Sequence, residues 1–175
     1  MSTPPLLVTL QMDAASHAHF DALRQRYFPP ERNHLAAHIT LFHKLPGEEF
    51  AAVRAILAEH AARQSAFDMR TTSIWMLGLG NAYLLEAPEA VALRKSLAED
   101  FSAWLTPQDA RQGFKPHITV QNKVASDKAK ALNQLLTESF TAQCVRATGL
   151  QLWRYMNGPW EWVEDFALNP AEIGR

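Results

Sequence analysis

The sequence predicts an α+β fold in which duplicated βαβ-type units form two pseudo-symmetric lobes, with antiparallel sheets around a central cleft. The stretches HITLF at His38–Phe42 and HITVQ at His117–Gln121 place His-Ile-Thr once in each half of the chain. Each half also reads in the order strand, helix, HIT strand, helix, strand, which indicates a duplicated unit. We therefore expect one bilobal domain over 1–175, with pseudo-repeats at roughly 1–80 and 81–168.

Hydrophobic periodicity places the elements of the first half. Leu6–Met12 is typical of a buried strand, and Asp13 can cap a helix that Pro29-Pro30 stops. Ala37–Lys44 alternates like a strand and is followed by a Pro-Gly turn. A second amphipathic helix precedes a strand-like run centred on Ile74–Leu77. The apolar stripes of the two helices are Phe20, Leu23 and Tyr27, and Phe50, Val53, Leu57 and Ala61.

The second half repeats this order. Tyr83–Glu86 is strand-like, and Pro88 fits the first turn of a helix. His117–Lys123 is the next strand, and Ser126 can cap a further helix. The last two strand-like runs are Leu150–Tyr155 and Trp160–Leu168. The turn Asn157-Gly158-Pro159 joins them.

Composition excludes several classes of protein. The 175 residues are 47% hydrophobic, enough for a sizeable core, and the formal net charge of −1 disfavours a mainly electrostatic nucleic-acid binder. The net charge does not exclude a local pocket lined by basic side chains. The only cysteine, Cys144, excludes an intramolecular disulfide and a thiolate zinc site, and we expect it to be buried. The chain has no signal-like start and no long apolar run, so we expect a cytoplasmic monomer without a membrane partner.

The two HIT strands each separate a polar face from an apolar face, because alternate side chains of a strand share a side. Ile39 and Leu41, and likewise Ile118 and Val120, can pack into the core. The opposite faces carry His38, Thr40, Phe42 and Lys44 in the first strand, and His117, Thr119, Gln121 and Lys123, with Lys115 in the same phase, in the second.

If the two strands meet, two imidazoles and two hydroxyls line one cleft, which suits chemistry at a phosphodiester. One neutral histidine can take a proton from the attacking oxygen while the other, protonated, gives one to the leaving oxygen. The threonine hydroxyls can hold the non-bridging phosphoryl oxygens. This acid–base pair needs no metal or other cofactor, and none is predicted.

With these motifs, the chain resembles the 2H phosphoesterase superfamily, and within it the bacterial 2′-5′ RNA ligase-like proteins and cyclic phosphodiesterases. The resemblance covers nearly the whole chain and includes FKPHITVQNK at Phe114–Lys123 and LWRYMNGPWEWVEDFAL at Leu152–Leu168. It implies a two-lobed α+β fold and a metal-independent cleft. The catalytic and phosphate-binding set that it implies is His38, Thr40, His117 and Thr119.

The first motif departs from the RNA ligase-like branch, where phenylalanine, leucine and glycine often follow. Here it continues as HITLFHKLPG, with His43 and Lys44 at that place. Together with the lack of an overall basic surface, this departure disfavours long RNA as the substrate.

Other residues are weaker candidates for substrate binding. Lysines near strand ends can bind phosphate, and exposed aromatic side chains can stack on a base. The histidines at His17, His19, His34 and His43 have no acidic or cysteine partners at metal-ligand spacing, so no metal site is predicted. The candidates for substrate binding are Phe42, Lys44, Lys115, Gln121, Lys123 and Tyr155, with Trp153 as a further stacking residue.

The leading hypothesis is a metal-independent phosphodiesterase that hydrolyses a small nucleotide or RNA-end phosphodiester, with a 2′,3′-cyclic phosphate as the expected substrate. One alternative is 2′-5′ RNA ligation or cleavage on tRNA-like fragments. A second is a nucleotide-binding module without catalysis, because binding and catalysis require the same four side chains. The near symmetry of the halves leaves open which histidine is the acid and which the base.

Overall fold

The computed structural model describes residues 2–170, which contain seven strands and four α-helices. The strands are β1 (Leu6–Met12), β2 (Ile39–Leu45), β3 (Phe67–Met76), β4 (Asn81–Glu86), β5 (His117–Gln121), β6 (Cys144–Tyr155) and β7 (Trp160–Ala167). The helices are α1 (Ala14–Tyr27), α2 (Phe50–Arg63), α3 (Pro88–Asp100) and α4 (Ser126–Glu138). The order β1-α1-β2-α2-β3 recurs as β4-α3-β5-α4-β6, and β7 follows.

Local signals in the sequence explain several boundaries of these elements. The Asp13 carboxylate caps α1, as predicted, by accepting a hydrogen bond of 3.0 Å from the Ser16 backbone N–H. Helix α1 ends at Tyr27, before the Pro29-Pro30 pair. The predicted cap at Ser126 is wrong by one position, since Ser126 is the first residue of α4 and Ala125 precedes it without a side-chain cap.

All strands of the sheet pair antiparallel, in the order β2-β1-β6-β3-β4-β5, with β7 paired to β6. Strand β6 joins the two halves. Its first residues pair with β3, and the part from Gly149 to Tyr155 runs between β1 and β7. The predicted α+β class with antiparallel strands is confirmed, and β6 makes the two expected sheets parts of one seven-stranded sheet.

The helices that precede the two HIT strands are exchanged between the halves of the sheet. Helix α1 precedes β2 in the chain but packs against β5. Helix α3 precedes β5, yet it contacts α2 and donates a hydrogen bond from Arg94 to the Leu41 carbonyl of β2. Each HIT strand is therefore covered by a helix from the other half of the repeat.

The core lies between the sheet and these helices and includes the inward apolar residues of both HIT strands, Ile39, Leu41 and Ile118. The prediction that Cys144 is buried is wrong. Cys144 begins β6 and is exposed, whereas its neighbour Val145 is fully buried, because adjacent side chains of a strand point to opposite faces. Within residues 2–170, no helix combines the length and the apolar character needed to cross a bilayer.

Candidate active site

The two HIT strands lie at opposite ends of the strand order, and the sheet brings them together. Cα atoms of β2 and β5 approach within 8 Å of each other. His38 lies immediately before β2, and His117 is the first residue of β5. We call the space between these two histidines the cleft.

Both imidazole rings are held in the same way by the backbone. The His38 Nδ1 atom lies 2.7 Å from the carbonyl oxygen of Ala36, and the His117 Nδ1 atom lies 2.7 Å from the carbonyl oxygen of Lys115. A carbonyl only accepts, so each Nδ1 carries the proton and donates it. In the neutral ring this leaves the Nε2 lone pair free, and Nε2 is therefore the atom of each histidine that can exchange a proton with a substrate.

A tryptophan ring contacts each histidine. The centroid of the Trp160 ring lies 4.8 Å from that of His38, and the Trp75 ring meets His117 edge-on at 5.1 Å. The Lys115 ammonium lies 5.5 Å from the centroid of Trp75. Because ring contacts of this kind restrict the rotation of the imidazoles, they support a fixed ring orientation.

Burial and neighbouring positive charges keep both histidines neutral near pH 7. The pKa of His38 is lowered to about 4, mainly by burial and also by the positive charges of Arg24, His117 and His43, while the hydrogen bond to Ala36 opposes the shift. Burial also lowers the pKa of His117, with a contribution from His43. The effect of His117 on His38 indicates that the two rings lie within electrostatic reach of each other.

The threonines of the two motifs are half-buried beside these rings. In β5, alternation holds from His117 to Val120: Ile118 and Val120 are fully buried, while His117 and Thr119 lie on the other face. In β2, Thr40 pairs with Thr9 of β1. Neither motif hydroxyl forms a hydrogen bond within residues 2–170, so both remain available to an anion.

The prediction that Phe42 shares the face of His38 is wrong. Phe42 is fully buried, and its ring meets that of Phe101 edge-on at 5.1 Å. The pairing of β1 with β2 shifts between Thr40 and Phe42, so this strand contains a bulge. A bulge inserts an extra residue and reverses the alternation beyond it, which turns Phe42 into the core and away from a substrate.

The prediction that Gln121 continues the face of Thr119 is also wrong, for the same reason. The register of β4 and β5 shifts between Ala82–Thr119 and Asn81–Gln121. Gln121 is 5% exposed, and its Oε1 accepts a hydrogen bond of 2.9 Å from Asn81 Nδ2. It therefore belongs to a buried amide pair rather than to the cleft.

The other weak candidates lie in different places. The Lys115 carbonyl accepts a hydrogen bond from the His117 ring, and the Lys115 ammonium lies over the ring of Trp75, which also contacts His117. Lys44 is exposed at the far end of β2. Lys123 has a φ of 58° just beyond β5 and lines a separate cavity of about 600 Å³ between α1 and α4. Tyr155, 40% exposed, ends β6 opposite Trp160.

A cavity of about 660 Å³ adjoins His38 but not His117. Its walls include Trp153 and Trp160, whose ring centroids are 6.1 Å apart. The Trp153 indole N–H donates to the Thr9 hydroxyl at 2.8 Å, which fixes the ring. His17 and His34 line the same cavity, but within residues 2–170 no three potential ligand side chains are grouped to hold a metal ion.

Sequence reasoning missed the buried carboxylate of Asp109, which is 1% exposed. It accepts hydrogen bonds from the backbone N–H groups of His43 and Lys44 and from the His43 ring at 2.9 Å. These donors hold the pKa of Asp109 below its usual value against the effect of burial. Asp109 thus fixes the end of β2 just beyond the first motif, and no local pattern in the sequence marks it.

Comparisons with known proteins agree with this architecture. A family model described as the 2′-5′ RNA ligase superfamily matches residues 12–159. Among solved structures, TT0787 of Thermus thermophilus has a TM-score of 0.68 at 18% identity, covering 96% of this chain and 100% of that one. Escherichia coli LigT in its apo form has a TM-score of 0.64 at 16% identity, covering 97% and 99%.

A structure of E. coli LigT complexed with 3′-AMP is also similar, with a TM-score of 0.57 at 16% identity, covering 95% of this chain and 98% of that one. No curated protein matches the chain. The likeness to these structures concerns the fold, whereas the family model extends over most of the sequence and includes both HIT motifs. The resemblance predicted from those motifs is confirmed, and the protein belongs to the 2′-5′ RNA ligase superfamily.

Proposed function

We propose that this protein is a phosphodiesterase that opens a 2′,3′-cyclic phosphate on a small nucleotide or at an RNA end, using His38 and His117 as its acid–base pair. The observation that carries the proposal is the matched pair of hydrogen bonds from the two Nδ1 atoms to backbone carbonyls, both 2.7 Å long. They leave two Nε2 atoms as proton carriers for one phosphorus centre.

The proposed reaction is a single displacement at phosphorus by water. His38, whose pKa is the one lowered to about 4, is neutral and takes a proton from the attacking water on Nε2. As the new P–O bond forms, the bond from phosphorus to one ribose oxygen breaks. His117 gives its Nε2 proton to that ribose oxygen. The product is a ribose phosphate monoester with a neighbouring free hydroxyl, and proton exchange with water restores both rings.

The remaining groups in the cleft act on charge and orientation. The hydroxyls of Thr40 and Thr119 donate to the non-bridging phosphoryl oxygens, where negative charge increases in the transition state. A bound phosphodiester anion also raises the pKa of a nearby histidine, which favours the protonated form of His117 in the complex. Binding of the substrate therefore also favours the protonation of His117 that the reaction requires.

The cavity beside His38 gives the nucleoside a place to lie. Its tryptophans can stack on a base, and such stacking holds nucleotides with little dependence on base identity. Its volume of about 660 Å³ is in the range of small-ligand pockets. In the proposed complex, the nucleoside lies in this cavity and the cyclic phosphate lies at its His38 side, towards the cleft.

The test is to incubate the purified protein with 2′,3′-cyclic AMP in EDTA and to follow products by chromatography and ³¹P NMR. We expect conversion to a single adenosine monophosphate isomer. The His38→Asn, His117→Asn double variant, prepared identically, controls for contaminating nucleases. Calorimetric binding of the nucleotide by the wild-type protein without turnover would contradict the proposal and favour a binding module.

The name of the family favours one rival reaction, 2′-5′ RNA ligation, in which a ribose hydroxyl replaces water as the attacking group. The same two histidines could carry it. Incubation with tRNA halves that bear a 2′,3′-cyclic phosphate and a 5′-hydroxyl distinguishes the two reactions on a denaturing gel. Hydrolysis leaves both halves at their original length, whereas ligation produces a longer strand.

A further inference from the structure

The tripeptide Ala-Leu-Arg occurs once in each half of the chain, in the helix that precedes each motif. It ends at Arg24 in α1 and at Arg94 in α3. Both arginines lie within the apolar stripe of their helix, and both are buried, at 4% and 9% exposure. A guanidinium in the position of a core residue is unfavourable unless its donors are satisfied, so its contacts indicate why it is there.

Arg24 joins the approach to the first motif with the strand of the second. Its Nε donates to the carbonyl of Leu35 at 2.8 Å, and its Nη1 donates to the carbonyl of Thr119 at 3.1 Å. Leu35 directly precedes Ala36, whose carbonyl accepts from the His38 ring. Arg24 thereby holds the segment that orients His38 against the strand that carries His117.

Arg94 makes the reciprocal connection. Its Nε donates to the carbonyl of Leu41 in β2 at 3.0 Å. Its guanidinium also lies 5.0 Å from the centroid of the Phe114 ring. Phe114 directly precedes Lys115, whose carbonyl accepts from the His117 ring. Arg94 therefore holds the segment that orients His117 against the strand that follows His38.

The two sets of contacts connect corresponding segments, although the individual contacts differ: Arg24 reaches the carbonyl two residues after His117, whereas Arg94 reaches the carbonyl three residues after His38. Each arginine contacts the residue three places before the motif histidine of its own half, Arg24 by a hydrogen bond to Leu35 and Arg94 over the ring of Phe114. Each also donates a hydrogen bond to a backbone carbonyl in the motif strand of the other half. Since β2 and β5 belong to opposite ends of the sheet, no strand ladder between them fixes their separation. These side chains provide direct links between the two motif regions.

We propose that Arg24 and Arg94 are reciprocal positioning residues, which set the distance and the angle between the two motif histidines across the cleft. The inference rests on the proposed function for its kinetic consequences, but the positioning itself is a property of the fold. Among residues 2–170, neither arginine forms an ion pair with a carboxylate. The positive charge of Arg24 acts on the His38 ring.

The electrostatics distinguish the two arginines. Three positive groups lower the pKa of His38: Arg24 from α1, His117 from β5 and His43 from β2. Arg94 has no such effect on either histidine. Loss of the Arg24 charge should therefore raise the pKa of His38, whereas loss of the Arg94 charge should not.

The experiment compares Arg24→Met, Arg24→Lys, Arg94→Met and Arg94→Lys with two controls on the same helices, Arg26→Met and Lys95→Met, both at exposed positions. Histidine ¹⁵N and ¹³C resonances give the pKa and the tautomer of each motif ring. Steady-state hydrolysis of 2′,3′-cyclic AMP gives kcat and KM. Lysine keeps the charge but cannot reproduce the forked contacts of the guanidinium, so it separates charge from geometry.

We expect kcat to fall roughly 100-fold in all four arginine variants with little change in KM, because small displacements of catalytic groups have effects of this size. The pKa of His38 should rise in Arg24→Met and remain low in Arg24→Lys. The Nδ1–H tautomer should become mixed at His38 in Arg24→Met and at His117 in Arg94→Met. Both controls should behave as wild type.

The proposal is overturned if both rings keep a single tautomer and the variants keep the kcat of the controls. If a methionine variant does not fold, the kcat and the histidine tautomers of the lysine variant at the same position test the proposal instead. If the wild-type protein does not hydrolyse the cyclic nucleotide, the proposed function fails. The tautomer measurements then still decide whether the arginines position the rings.

Discussion

At each motif, the carbonyl two residues upstream of the histidine determines which ring nitrogen is free. This local geometry is the same at His38 and His117, yet their surroundings differ. Positive charge from Arg24, His43 and His117 acts on His38, whereas only His43 is a charged contributor at His117. This difference in surroundings is the reason that the proposed reaction assigns the base to His38 and the acid to His117.

The first prediction at this scale concerns the pH dependence of kcat/KM, which reports the free enzyme. The base must be unprotonated, so activity should rise as pH increases through about 4, the pKa of His38. The acid must be protonated, so activity should fall as pH increases through the pKa of His117, which burial holds below the usual value for histidine. The optimum is therefore expected in the acidic range.

Initial rates on 2′,3′-cyclic AMP across the acidic and neutral pH range would measure this profile. In His117→Asn, the pH profile of the residual kcat/KM should no longer fall at higher pH, because the group that causes this fall is absent. Exposed His19 provides the matched control, because His19→Asn should keep the wild-type profile. A maximum on the alkaline side of neutrality, or a profile with no alkaline limb in the wild type, would contradict the assigned roles.

At the scale of elements, the bulges in the HIT strands decide which side chains reach the cleft. The histidine and the threonine of each motif are half-buried and alternate with buried apolar residues, as strict alternation predicts. Beyond the bulges, Phe42 and Gln121 turn into the protein. The edge position of both strands permits such irregularity, because one side of each is free of a neighbouring strand.

Replacement of Phe42 tests its assignment to the core. Phe42→Ala should lower the free energy of unfolding by about 3–5 kcal/mol, because it removes a buried ring and leaves a cavity. Urea unfolding followed by circular dichroism measures the change. Tyr155→Ala, at an exposed aromatic position, should have a much smaller effect. Unchanged stability together with a higher KM in Phe42→Ala would instead indicate a stacking role.

The alternation of polar and apolar residues sufficed to predict the HIT strands and the faces of their histidines and threonines. It could not predict the bulges, since these arise from pairing with β1 and β4 rather than from the strand itself. A signal for the arginines was present in the sequence: each Ala-Leu-Arg places a charge in a helical stripe of core residues. What each arginine contacts depends on tertiary packing and is not readable from local sequence.

At the scale of the whole molecule, the exchange of α1 and α3 between the two halves explains how a duplicated chain can form one site. Each helix packs with the half that carries the other motif. The formal net charge of the chain is −1, but buried Arg24 places a positive charge within electrostatic reach of His38. The proposed phosphodiester site therefore does not require an overall basic surface.

Steady-state hydrolysis of 2′,3′-cyclic AMP by His38→Asn, His117→Asn and the double variant tests most directly whether the two rings act on one phosphorus. Groups that act as a unit are non-additive, so each single variant should lose nearly as much kcat as the double variant. Thermal unfolding of each variant establishes that the fold is retained. A single variant that keeps wild-type kcat, or losses that multiply independently in the double variant, would contradict joint action of the two histidines.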